Sequence, residues 1–319
     1  MRFPRDKDQY VLGAAIGGGT AVGSIYAAKH VNPETGNEVP VGIKIVNINK
    51  IEDIYTFTQE IHVAETCDHE NMVKIHCSFK VNNQLWLVMS PLSGFSLRSI
   101  IRSSFPNGLP QNSVSFILKE TLKVVHYLHE NNKPHQSLGA DCIFLDEKSS
   151  TVKLLLYSLS FENSKPDSYG FPDWTLAPEV KNDYRKGSDK ATDIWMFGLL
   201  ALELFYGQFP ASDFEEFHFL LNGIEDEFGA SKKKESDGKI KGSGFFGKFS
   251  VFSCFSKQPK KIIPRPLGEV VAACLARDPK KRPTTNQLME FNLFKKPSVG
   301  QESLAKLKKQ CKGIISEEN

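Results

Sequence analysis

Val41-Gly42-Ile43-Lys44-Ile45-Val46 is a short run rich in β-branched residues, and it reads as a strand. Leu85-Trp86-Leu87-Val88-Met89 reads as another. Between them, Ile54, Phe57, Ile61 and Ala64 recur at spacings of three and four, which predicts a helix from Ile54 to Glu65. Beyond Pro91 the pattern changes. Val114, Ile117, Leu118, Leu122, Val125 and Leu128 form an apolar stripe of helical period within Ser113 to Glu130. Ala191 to Phe205 is apolar almost throughout and reads as a helix buried on most sides. Later helices are expected at Glu269 to Ala276 and Asn286 to Phe291. Strands first and helices second predict an α+β chain of two lobes, a small β-rich lobe with one helix on a larger helical lobe.

Composition narrows the classes further. The chain has 319 residues, 40 basic and 37 acidic, for a formal net charge of +3. That balance points to neither nucleic acid nor a membrane as the natural partner. No apolar run approaches the length of a membrane span. The start, Met1-Arg2-Phe3-Pro4-Arg5-Asp6, lacks the apolar core of a signal peptide, so none is expected. Cys67, Cys77, Cys142, Cys254, Cys274 and Cys311 are scattered without metal-ligand spacing and read as reduced thiols.

The motifs are more specific. Val41-Gly42-Ile43-Lys44 is followed 16 residues after Lys44 by Glu60, on the predicted helix. His135-Gln136-Ser137-Leu138-Gly139-Ala140-Asp141-Cys142 precedes a strand-like Val152-Lys153-Leu154-Leu155 and then Leu156-Tyr157-Ser158. Ala177-Pro178-Glu179, Asp193-Ile194-Trp195-Met196-Phe197-Gly198 and Arg277-Asp278-Pro279-Lys280-Lys281-Arg282-Pro283-Thr284 follow in order. Together these resemble the protein kinase superfamily from about Tyr10 to Phe294, with a small N-lobe and a helical C-lobe. His76-Cys77-Ser78-Phe79, Trp86 and the turn ending in Arg282-Pro283-Thr284 are similar to sterile-twenty or germinal-centre kinases, plant type in particular. The resemblance divides the chain into an extension (1–9), an N-lobe (10–90), a C-lobe (91–297) and a basic tail (298–319).

What the family's chemistry needs can be checked position by position. The resemblance assigns nucleotide contact to Gly17, Gly19, Ile25, Lys44 with Glu60, and Met89. Lys44 and Glu60 read either as a retained phosphate-binding pair or as an ion pair that only docks the helix on the sheet. Ser137 stands where a catalytic aspartate is expected, and a hydroxyl is no general base near neutral pH. Cys142 and Leu156 stand where magnesium ligands are expected, and a hard cation requires oxygen donors. Gly139 replaces a phosphate-contacting lysine, and Gln136 an arginine that would pair with an activation-loop phosphate. Asp141 is the nearest substitute carboxylate and reads as an exposed turn residue. The glycine-rich stretch from Ile16 to Tyr26 is one residue longer than the family pattern, which shifts the hairpin register. Scaffold positions are kept by contrast. The resemblance gives Asp193 to the backbone of the His135 loop, Glu179 to Arg282, and His135 and Tyr157 to a packed column between the lobes.

These readings predict a pseudokinase, a catalytically inactive kinase homologue in cytoplasmic signalling. It would act as a scaffold or allosteric regulator on a protein partner, such as an active kinase of the same family. ATP would bind without magnesium or not at all, and no metal or nucleic acid is expected. A serine/threonine kinase of low or atypical activity is the alternative. A third reading, a peripheral membrane adaptor, rests on Ser231 to Lys261, where nine lysines face Glu235 and Asp237. Within it, 242–261 mixes Phe and Lys as anionic-membrane contacts do, against the plainer reading of a solvated loop. Leu304, Leu307, Cys311 and Ile314 with four lysines read as an amphipathic tail helix that docks on the large lobe.

Overall fold

Side chains on a strand alternate between faces, and along Val41 to Val46 that alternation serves two separate cores. The computed structural model describes residues 3–20, 23–51, 54–92, 96–145, 151–156, 171–182, 189–229, 261–295 and 307, without the side chains of residues 17–20, 56, 60 and 182. β1 (Tyr10–Thr20), β2 (Gly23–Val31) and β3 (Glu38–Asn47) are followed by α1 (Ile54–Glu65), then β4 (Ile75–Val81) and β5 (Gln84–Met89). The five strands form one antiparallel sheet in the order β1-β2-β3-β5-β4. Ile25, Val46, Leu87 and Met89 join Phe57 and Ile61 of α1 in the main core. Val41, Ile43, Trp86 and Val88 face the other way, into a second cluster with Tyr10 and Phe79.

The long glycine-rich hairpin is accommodated by bulges. Pairing of β1 with β2 is interrupted three times, between Leu12 and Ala15, Ala15 and Gly17, and Gly17 and Thr20. Each break puts one more residue on β1 than on β2, leaving Gly17 opposite Ile25 and Thr20 opposite Gly23.

The second lobe is built from α2 (Leu97–Ser104), α3 (Gln111–Glu130), the short ladder of β6 (Ile143–Leu145) with β7 (Val152–Leu154), α4 (Pro178–Asn182), α5 (Lys190–Tyr206), α6 (Phe214–Phe228), α7 (Arg265–Cys274), α8 (Thr285–Met289) and α9 (Asn292–Lys295). α5 is its axis and is buried from Thr192 through Phe205. Asp189 caps its start by accepting from the Thr192 amide at 2.8 Å. Gly207 ends it at φ +84°, packed on Gly108 at φ +83°, a backbone approach that leaves no room for a Cβ.

The lobes are tied by the segment before β4. Val73 N donates to Leu154 O at 2.9 Å and Leu154 N to Asn71 O at 2.7 Å. The buried Asn71 side chain donates to Glu120 and to the carbonyl of Val152.

Some elements differ from the sequence reading. α7 begins at Arg265 rather than Glu269, because Pro264 and Pro266 favour a helix start there. α8 begins at Thr285 behind a capping box of Thr284 and Gln287. α2 and α6 were not anticipated. Of the tail, Leu307 is described, and it is buried in the main core. The readings placed on Tyr157, on residues 158–170 and on residues 231–260 lie outside the described residues. Among the described residues no helix is long and apolar enough to cross a membrane.

Candidate functional site: the cleft between the lobes

Lys44 lies on β3 opposite Ile25 of β2 and Leu87 of β5, so it shares the face that packs against α1. It is 2% exposed. Burial lowers its ammonium pKa to about 7, and the opposing pull among described residues comes from the Asp141 carboxylate. Glu60 is carried by α1, and its side chain is not among those described. Met89 closes the inner end of the sheet, fully buried. Gly42 makes room for it, since a Cβ there would come within 2.9 Å of Met89 Cγ.

The loop after α3 is shaped by one carboxylate. Asp193, wholly buried on α5, accepts from His135 N at 2.6 Å, Gln136 N at 2.7 Å and His129 Nε2 at 2.8 Å. Gln136 is held at φ +67°, a left-handed conformation uncommon outside glycine. His135 Nε2 lies 3.1 Å from Leu155 O, an acceptor, so Nε2 carries the proton and Nδ1 accepts from Ser137 N. Burial lowers the His135 pKa, keeping the ring neutral. Deeper in the lobe, Arg282 forms a two-bonded pair with Glu179 at 2.5 and 2.8 Å and stacks over Trp195.

The positions where the resemblance expects metal ligands carry different chemistry. Leu156 is 2% exposed and belongs to the main core. The buried Cys142 thiol donates to Gly139 O at 3.0 Å, and burial pushes its pKa well above the usual thiol range. A protonated thiol and a hydrocarbon do not fit a magnesium ion. Ser137 is half-buried and offers a hydroxyl.

Asp141 corrects the sequence reading. Its side chain is 33% exposed, not free in solvent, and lies 3.7 Å from Arg98 Nη2. Arg98 itself was overlooked. It is buried on α2 and bonded to Glu203 of α5 at 2.7 and 3.0 Å. An arginine among Leu97, Ile100 and Ile101, all buried, was the signal available in the sequence.

Comparison with known proteins places this geometry. A family model described as protein kinase domain matches residues 10–294. The chain is similar to the serine/threonine-protein kinase fray1 of Dictyostelium discoideum, 30% identical over 301 residues, covering 92% of this chain and 47% of that protein. It is also similar to human mitogen-activated protein kinase kinase kinase kinase 3, 30% identical over 291 residues, covering 89% of this chain and 29% of the relative. Germinal center kinase 3 of Caenorhabditis elegans is 27% identical over 316 residues, with coverage of 92% and 48%. The chain thus spans less than half the length of each of these relatives.

Proposed function

The chain belongs to the protein kinase domain family, and on that premise we propose that it is a pseudokinase, acting by binding rather than by phosphoryl transfer. The observation that carries this reading is Leu156, a buried hydrocarbon where the resemblance expects a metal-holding carboxylate. Cys142 and Ser137 reinforce it. General-base help is worth ~10²–10⁴ in rate, so the loss at Ser137 alone would leave a slow enzyme. Loss of both metal anchors acts on the same transition state and removes the charge stabilisation that phosphoryl transfer depends on.

In this reading the chain is a scaffold or allosteric regulator in cytoplasmic signalling, and its partner is an active kinase of the sterile-twenty type. Gly17, Gly19, Ile25, Lys44, Glu60 and Met89 form a nucleotide cleft that works without magnesium. Bound ATP then stabilises one conformation and is not consumed. Residues 10–90 and 91–297 are the two lobes, with the basic stretch at 231–261 an insertion and 298–319 a tail.

The test is transfer of labelled γ-phosphate to the chain itself and to a generic protein substrate. The expected rate equals that of a Lys44→Met control. Transfer well above the control would sink the reading in favour of an atypical kinase that uses Asp141, the carboxylate that acts on Lys44. A role for 242–261 on membranes is tested separately, by sedimentation with anionic liposomes of chains with and without that stretch. Equal sedimentation ends that idea.

A further inference from the structure

On the face of the sheet turned away from α1, a strap formed by Phe3 and Pro4 lies against the second core. The Phe3 ring meets two imidazoles, 5.7 Å from His30 of β2 and 4.6 Å from His76 of β4, centre to centre. The Pro4 carbonyl accepts from the Tyr10 hydroxyl at 2.6 Å and from the Cys77 thiol at 3.8 Å. From Tyr10 the aromatic surface continues through Phe79 to Trp86, with 6.0 Å between successive rings.

One side chain beneath the strap lacks what burial demands. His30 is 6% exposed, yet neither of its ring nitrogens has a hydrogen-bond partner. A buried polar group left so carries the full cost of its lost water. Among the described residues, the rings of Phe3 and Tyr10 border the imidazole. The Tyr10 hydroxyl is already given to Pro4, and the Phe3 side chain has no polar atom. The missing partner therefore enters at the position of the Phe3 ring. The strap fits the face by shape and leaves its buried imidazole unanswered. The Tyr10 hydroxyl, by contrast, would take any backbone carbonyl laid in the place of Pro4, and that bond sets which residue reaches His30.

We propose that this face is a docking site for an extended segment of a partner protein in which tyrosine precedes proline, and that Phe3-Pro4 occupies it in cis until such a segment displaces it. The incoming tyrosine fills the Phe3 position and brings a hydroxyl to His30, while the proline carbonyl takes the Tyr10 hydroxyl. The tethered strap competes at high effective concentration and keeps weaker segments out. The added hydrogen bond gives tyrosine its advantage over the resident phenylalanine. The inference stands whether or not the chain transfers phosphate.

The experiment uses the full chain, fluorescence anisotropy and two labelled peptides, one with the sequence of residues 1–9 and one carrying Phe3→Tyr. A Phe3→Ala chain has its site open, so it should bind both peptides at least about tenfold tighter than the parent. It should favour the Phe3→Tyr peptide by about tenfold, the gain of one hydrogen bond, and adding His30→Phe should erase that preference. A second arm decides the matter if Phe3→Ala does not fold. Phe3→Tyr in the full chain should raise the melting temperature by about 2–4 °C, and should not do so beside His30→Phe. Equal binding by the parent and a folded Phe3→Ala chain overturns the proposal. So does a tyrosine preference that survives His30→Phe, or a Phe3→Tyr chain that melts with the parent. A concentration-dependent dimer of the parent that Phe3→Ala abolishes would assign the face to the strap of a second copy, and would overturn it too.

Discussion

Asp193 and Leu156 both border the loop after α3, yet their surroundings are opposite in kind. Around Asp193, two amides and an imidazole converge on one buried carboxylate. Around Leu156 the neighbours are hydrocarbon, and the nearby Cys142 thiol turns inward to a carbonyl. The first arrangement holds a backbone in a conformation it would not keep alone, since Gln136 sits at φ +67°. The second offers packing where the resemblance expects ligands. Burying a leucine side chain is worth about 1.5–3 kcal/mol, whereas a buried carboxylate without a partner destabilises. On the proposed reading, hydrocarbon at that position adds stability while the frame is kept. The contrast teaches that fold and reaction draw on separate residues here, even within a few positions of one another.

The contrast can be broken at either side. The largest effect is expected from Asp193→Ala, which strands three donors in the interior and should cost about 3–5 kcal/mol in chemical denaturation. A loss under about 1 kcal/mol would show that the loop is held by other contacts. Next is Leu156→Asp, which restores the family's charge to a hydrocarbon site. It should destabilise by about 3 kcal/mol and confer no magnesium-dependent ATP binding while Cys142 remains. Recovery of metal dependence by this single change would mean the cleft is nearly intact. Asn71→Ala removes the side chain that ties β7 and α3 to the first lobe, and should cost about 2 kcal/mol. Proteolysis between the lobes should accelerate along with it.

The smallest effect is a slope in pH. Lys44 has a pKa of about 7 in the folded chain against an ordinary 10.5. Below pH 7 both states carry the proton, and the full penalty of burying the charge is present. From pH 7 upward the folded state releases it first, so the unfolded state binds more protons and stability rises with pH. Between pH 7 and 9 the parent should gain on Lys44→Met by roughly 1 kcal/mol per pH unit. Parallel stability curves for the two chains would show that Lys44 keeps its charge throughout.

Much of this was legible in the sequence, for identifiable reasons. The strand at Val41 to Val46, α1 and α5 announce themselves by period and by continuous apolarity. The Asp193 clasp and the Glu179–Arg282 pair could be named from motifs, because those contacts join positions fixed by the fold. α6 was missed because Glu215, Glu225, Asp226 and Glu227 surround its buried positions Phe217, Leu220, Leu221 and Ile224 and dilute the stripe. The bulges of β1 were hidden because pairing register depends on the partner strand. Arg98 and Asp141 escaped for a related reason. The meaning of Arg98 lies in its pair with Glu203, 105 residues along the chain, and that of Asp141 in its approach to Arg98, and no local pattern encodes either contact.

The most direct test of the central claim is a thermal-shift titration with ATP, run once with magnesium and once with chelator. Ligand at about 100 times its dissociation constant adds about 2.7 kcal/mol, or about 2–4 °C per kcal/mol in a domain of 150–250 residues. The account predicts the same response in both buffers, since Lys44 is kept and the metal anchors are replaced. A shift that appears only with magnesium would contradict it, and would place the chain among active kinases.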